Sequence, residues 1–274
     1  MIEAIFKYQF LQNALLASIL TSIVCGIIGV ITVEKKLVMM SGGIAHTAYG
    51  GVGLGYLCGF EPILGAMAFA IIAALGVGYT KKKGGSKSDV VIALLWSFGM
   101  AMGIIFIGFM PGYPPDMTSY LFGDILSVTK MNLTIMVVLT VVILLFVAVF
   151  FNYWKAYLFD SEFSKIRGFW TDILEYILLM LIALTVVILI RTVGIILIIA
   201  LLTAPAATAA FFTNSLKGRM LIATVLGTLF CISGLIISYY LNLSSGAAII
   251  VVSVSCYIIC FTIKKITSNI KNKA

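Results

Sequence analysis

The sequence predicts an all-α fold, a polytopic membrane bundle of eight or nine transmembrane helices forming one transmembrane domain over 1–274. Three observations carry that prediction. Of the 274 residues, 62% are hydrophobic and only 10% are charged, where soluble domains run near about 25% charged. Apolar runs of roughly the 20 residues needed to cross a bilayer follow one another along the whole chain. The basic residues collect in alternate connections between those runs, as they do when every second loop is held on the cytoplasmic side.

The runs lie near 10–33, 37–59, 62–80, 90–110, 131–151, 173–190, 193–213, 220–241 and 246–263. The first is too long for the core of a cleaved signal peptide and reads as a retained span. The second, LVMMSGGIAHTAYGGVGLGYLCG, holds the only histidine, His46. About 23 residues at ~1.5 Å each give a helix of roughly 35 Å, which places His46 near mid-depth. Gly42 and Gly50 lie one turn to either side of it, with Gly43 and Gly53 beside them. Such a stripe lets a second helix approach closely, or leaves a cavity around the imidazole. The sixth and seventh runs are separated only by Arg191-Thr192, so one of them is a candidate half-helix. The seventh contains Pro205 among small residues from Ala204 to Ala210. That pattern suits close packing or a gate built on the freed backbone carbonyl.

Fifteen of the eighteen Lys and Arg residues fall after the first, third, fifth and seventh runs and in the tail. The positive-inside rule then puts the N-terminus outside and the C-terminus inside, and nine spans make every connection alternate. The net charge of +8 is explained by these loops, without recourse to nucleic acid. The five cysteines are scattered through apolar runs with no CxxC pair, and read as small core hydrophobes.

Two connections exceed a turn. The outer one, over 111–130, carries Pro111, Pro114 and Pro115, and its segment SYLFGDIL is apolar enough to dip back toward the membrane. The inner one includes FDSEFSKIRG at 159–168. There Phe159, Phe163 and Ile166 share helical spacing, Asp160 is placed as an N-cap and Gly168 as a stop. A short amphipathic helix on the cytoplasmic face is expected, either lying on lipid or presented to a partner.

The chemistry that is missing narrows the function. There is no GxxxxGK[ST] motif; the cluster KKKGGSKSD at 81–89 lacks its spacing and follows a membrane span. All ten acidic residues lie in connections or at run ends, so His46 is the one ionisable group at depth and a functional candidate. An interhelical hydrogen-bonded histidine is the plainer alternative. These residues give a transporter without its own motor, with no catalytic residues expected. An ATP-independent carrier of metal or small cations is the competing reading.

Five stretches in order resemble the membrane permease of bacterial and archaeal ABC importers for zinc, manganese or iron(II). MSGGIAHTAYGGVGLGYL at 40–57 is similar to that family's M-G-D-A-I-S-H-A helix, and YLFGDIL at 120–126 to L-F-G-x-L-L. FDSEFSKIRG is similar to F-D-P-E-x-A-x-x-x-G, TVGIILIIALLTAPAATAA at 192–210 to A-V-G-x-I-L-V-x-A-L-L-x-x-P-A-A-T-A, and SYYLNLSSGAAIIVV at 238–252 to S-Y-x-L-D-L-P-S-G-x-x-I-V. Aligned on His46, the family's common aspartate falls at Gly42 and its serine at Ala45. The resemblance implies a multi-pass subunit of a prokaryotic cytoplasmic membrane, working as a homodimer. It implies two cytoplasmic ATP-binding subunits docked on Asp160, Glu162, Phe163 and Gly168, and an extracytoplasmic metal-binding protein. It implies a transported zinc or manganese ion and no permanently bound cofactor. His46 is the expected metal contact, with Asp124 and Asp116 of the outer loop as possible compensating carboxylates.

Overall fold

The computed structural model describes residues 7–84, 88–112, 118–168 and 170–271. In chain order its helices are α1 (Gln9–Glu34), α2 (Val38–Cys58), α3 (Pro62–Gly84), α4 (Ser88–Gly108), α5 (Thr118–Phe122), α6 (Lys130–Val149), α7 (Phe151–Phe159), α8 (Ser161–Ile166), α9 (Thr171–Val193), α10 (Ile195–Ala209), α11 (Leu216–Leu241) and α12 (Ser245–Lys271). A 3-10 turn, Ile125–Ser127, lies between α5 and α6. No strand occurs among the described residues.

Seven helices, α1, α3, α4, α6, α9, α11 and α12, are long and apolar enough to cross a membrane. α2 has the length, 21 residues, but six glycines dilute its apolar character. α10 has only 15 residues, about 22 Å against the roughly 30 Å of a bilayer core. The break before it falls at Gly194, with φ +80°, so Arg191 and Thr192 belong to the last turn of α9. The 15-residue helix is the short member of the pair that the sequence left open.

Polar side chains show which helix ends meet. Glu34 at the end of α1 pairs with Arg219 at the start of α11. Lys81 in α3 pairs with Glu175 in α9 at 2.5 Å. At the opposite end, Glu61 pairs with Arg191 at 3.3 Å and the Tyr56 and Tyr120 hydroxyls lie 2.9 Å apart. The bundle therefore has a basic end, with Lys35, Lys81, Lys82, Lys165 and Arg219, and an opposite end holding Glu61, Asp124 and Arg191.

The centre is made by α1, α2, α9 and α10, which contribute most of the buried residues. α4, α6 and α12 form the periphery and turn large apolar side chains outward, including Leu94, Phe98 and Ile104 on α4 and Val138, Val142 and Leu145 on α6. A surface this apolar is at equilibrium with hydrocarbon rather than with water.

α2 is held by backbone contact. A methyl group at Gly51 would collide with the Gly65 carbonyl of α3. On its other side, methyls at Gly50 and Gly53 would lie 2.7 and 2.6 Å from the carbonyls of Gly99 and Gly103 in α4. Small residues allow such approach, and dispersion gains from it where no hydrophobic driving force acts between helices.

The segment after α5 is folded into the opposite end. Tyr120, Ile125 and Val128 are buried, and Asn13 of α1 donates to the Val128 carbonyl at 3.0 Å. Gly123, with φ +74°, meets Val193 and Gly194 backbone to backbone, where a Cβ would not fit. Irregular backbone at this level is thus enclosed by protein. At the basic end the structure adds one helix that the sequence reading treated as connection: α7, whose Trp154 and Tyr157 are buried. α12 also runs to Lys271, well past the expected apolar limit near 263.

Candidate functional site

Three places bring the expected residues into view. The first is at mid-depth on α2. His46 is 7% exposed, and its ring stacks on Trp96 of α4 with centroids 4.1 Å apart and planes 12° from parallel. Its Nδ1 lies 3.3 Å from the Sδ of Met100, one turn further along α4. The neighbouring Thr47 Oγ1 lies 2.7 Å from the Gly43 carbonyl and 3.1 Å from that of Leu95. Its one hydrogen therefore serves the seam between α2 and α4. The glycine stripe leaves little free space. A Cβ at Gly42 would sit 3.4 Å from Trp96, and one at Gly43 would sit 2.7 Å from Ile92. Helix α4 fills the face that the sequence left open between close packing and a cavity.

The second place is the opposite end. Asp124 is exposed and caps the 3-10 turn, accepting from the Leu126 amide at 3.1 Å. Tyr56, ten residues beyond His46, meets Tyr120, four residues before Asp124. About 15 Å of helix thus separates the imidazole from the Tyr56–Tyr120 contact, and the polar contact found for the Asp124 carboxylate is the Leu126 amide. Asp116 lies outside the described residues. Among the described residues no three His, Cys, Asp or Glu side chains gather in one place.

The third place is α8 at the basic end. Asp160 is its N-cap, accepting from the Glu162 and Phe163 amides at 3.0 and 2.9 Å. Such a cap satisfies helix-end donors and is worth about 1 kcal/mol. Gly168 follows the helix with φ +82°, a conformation that glycine adopts without a Cβ penalty. Ser164 is the buried residue, its Oγ 2.7 Å from the Asp160 carbonyl and 3.0 Å from that of Ala156. The apolar side chains point away from the bundle: Phe159 is 94% exposed, Ile166 84% and Phe163 52%. Glu162 is exposed as well. Arg167 lies over the Phe163 ring at 5.1 Å.

α8 is tied to the bundle by charge. Asp172 of α9 holds Lys165 of α8 at 3.4 Å and Lys82 of α3 at 3.0 Å. Beside them, Lys35 lies over the Tyr157 ring at 3.7 Å. Burial and then the nearby Lys81 push the Lys35 ammonium below its ordinary pKa, and burial with Glu175 raises that of Tyr157. A groove of about 800 Å³ opens at this end, lined by Glu34, Lys155, Phe159, Lys217 and Arg219 among others. Pro205, the other residue singled out by the sequence, is buried within α10, which continues to Ala209.

Trp96 and Met100 are the contacts that sequence reasoning missed. Their i, i+4 spacing on an apolar run is the one available signal, and lipid-facing side chains share it.

An all-α bundle with a lipid-facing rim, an imidazole at mid-depth and a capped helix protruding from one end defines a membrane transport subunit. Residues 7–264 match the ABC 3 transport family, and the chain belongs to that family, the membrane permeases of metal-ion ABC importers. It is 42% identical to an uncharacterized membrane protein of Synechocystis, over 97% of this chain and 95% of the other. It is 35% identical to the manganese transport system membrane protein MntC of Listeria monocytogenes, over 95% and 92%. Its fold matches PsaBC from Streptococcus pneumoniae with a TM-score of 0.86 at 33% identity, covering 95% of this chain and 94% of that one.

Proposed function

We propose that this chain admits a divalent transition-metal ion, zinc, manganese or iron(II), to the cytoplasm past His46. The energy comes from ATP hydrolysed on two separate subunits docked at the basic end of a homodimer, and an extracytoplasmic binding protein delivers the ion. The observation that carries the reading is α8. It is capped at Asp160, stopped at Gly168 and pinned through Ser164, yet its Phe163 and Ile166, with Phe159 at the end of α7, are uncovered. A helix ordered so carefully with its apolar residues bare fits a surface that awaits a partner. The adjoining groove, which includes Phe159, extends that surface. Relatives named as manganese systems, and one from Haemophilus influenzae named as a probable iron transport system, support the class of cargo. Fifteen of eighteen basic residues in alternate connections support a cytoplasmic basic end, with the N-terminus outside.

The docking role is tested at Glu162, whose amide donates to the Asp160 cap but whose side chain is exposed and takes no part in it. Glu162→Lys is expected to leave the melting temperature of the permease unchanged while abolishing transport-coupled ATPase activity of the assembled complex. Normal uptake with the reversed charge would remove α8 from the coupling path. Metal uptake by vesicles holding the permease alone, without any ATPase, would favour the ATP-independent carrier instead.

A further inference from the structure

We propose that Met100 is the second donor to the cargo ion beside His46, and that this nitrogen–sulfur pair makes the passage favour zinc over manganese. The inference rests on the reading of His46 as a cargo contact and adds a selectivity to it.

The argument begins with the donors at mid-depth. All ten carboxylates of the chain lie in connections or at run ends. The one on α4, Asp89, is in its first turn, eleven residues and about 16 Å of helix from Met100. Gly42, one turn before His46, offers no side chain, and Thr47 is engaged by the Gly43 and Leu95 carbonyls. Backbone carbonyls inside a helix are already hydrogen-bonded. Tyr49 is buried with its ring against Gly103, a turn beyond Met100; the donor found in contact with the imidazole is the Met100 thioether, 3.3 Å from Nδ1.

That separation suits two ligands of one ion. With a metal–nitrogen bond near ~2.0 Å and a metal–sulfur bond near the ~2.3 Å of zinc–thiolate sites, atoms 3.3 Å apart subtend about 100° at the metal, close to a tetrahedral edge. The stacked Trp96 ring, 12° from parallel, holds the plane of the imidazole in which Nδ1 faces the sulfur. Met100 is half-buried while His46 is buried, and the thioether sits on a side chain with three soft torsions that can adjust to an ion.

The donor types decide the selectivity. Thioether and imidazole suit zinc, whereas manganese prefers carboxylate, carbonyl and water oxygens. Two protein donors also make an incomplete shell, weak enough for an ion that must leave again.

The test uses the full-length permease in lipid nanodiscs, with its five cysteines replaced by alanine so that methionine is the only sulfur source. Zinc is added and its X-ray absorption spectrum recorded; zinc and manganese affinities are then measured by competition. The proposal expects a sulfur scatterer in the zinc shell. Met100→Leu, a swap that conserves volume and is normally tolerated, should remove that scatterer. It should also lower zinc affinity at least tenfold and leave manganese affinity within twofold. If His46→Ala abolishes zinc binding but Met100→Leu keeps the same zinc shell and the same zinc-to-manganese ratio, Met100 only accepts a hydrogen bond from the ring. The proposal is then overturned, and the reading of His46 stands. If His46→Ala binds zinc as the parent does, both fall together.

Discussion

The seam between α2 and its neighbours and the short helix α8 are built on opposite terms. α2 is held from outside itself: its glycines remove side chains so that the backbones of α3 and α4 can touch it. α8 is held by local bonds: Asp160 caps it, Gly168 stops it, and Ser164 pins it to the Ala156 carbonyl of α7, while Phe163 and Ile166 are left bare. The first arrangement suits a region that must hold an imidazole in one place. The second suits an element whose remaining contacts are to be supplied by another chain. Stability should therefore be sensitive to volume at the seam, and sensitive only locally to changes in α8.

The sharpest way to break that contrast is Gly51→Ala. The added methyl has no room against the Gly65 carbonyl, and overpacking of this kind costs about 1–3 kcal/mol. The purified permease should melt several degrees lower. Gly76→Ala in α3 is the control, because no atom outside its own helix lies within 4 Å of a Cβ there. It should be neutral or slightly stabilising, by about 1 kcal/mol at most. Equal melting temperatures for the two variants would mean that α2 is not held by close backbone approach.

A smaller effect belongs to Asp160→Ala. Losing the cap costs about 1 kcal/mol, and α8 has only six residues over which to absorb it. Amide hydrogen exchange should rise across α8 with the global melting temperature unchanged. Unaltered exchange there would show that packing on α7, rather than the cap, orders the helix.

The smallest effect is expected from Asp172→Asn, which removes the carboxylate shared by Lys82 and Lys165. All three side chains are well exposed, and pairs of that kind contribute about 0–1 kcal/mol. The melting temperature should stay close to that of the parent, and the small difference should vanish in high salt. A loss that persists in high salt would make this linkage part of the bundle's framework.

The same contrast explains what the sequence made legible. The cap at Asp160 and the stop at Gly168 could be read because both interactions are local. The apolar runs could be read because length and hydropathy are local too, and most helix limits fall within a few residues of the expected ones. Which glycine meets which helix could not be read. Gly51 and Gly65, or Gly50 and Gly99, are matched by folding, and nothing in either stretch names its partner. Met100 went unnoticed for the same reason, since its meaning depends on facing His46 across two helices. α7 was missed because Trp154 and Tyr157 are followed closely by Asp160 and a run of polar residues, which resembled one long connection. Asp124 was grouped with His46 from residue type alone, and what the fold adds is its place as the cap of the 3-10 turn.

The central claim is that the seam between α2 and α4 is also the ion's path, and His46→Ala tests it most directly. The variant should be assembled with its ATPase in vesicles, and ATP hydrolysis and metal uptake measured side by side. The account expects a folded complex that still hydrolyses ATP while losing at least nine-tenths of its uptake, the order of loss produced by about 1.4 kcal/mol or more at the ion's contact. Uptake at the parental rate would contradict it and leave His46 as a packed residue that hydrogen-bonds between helices.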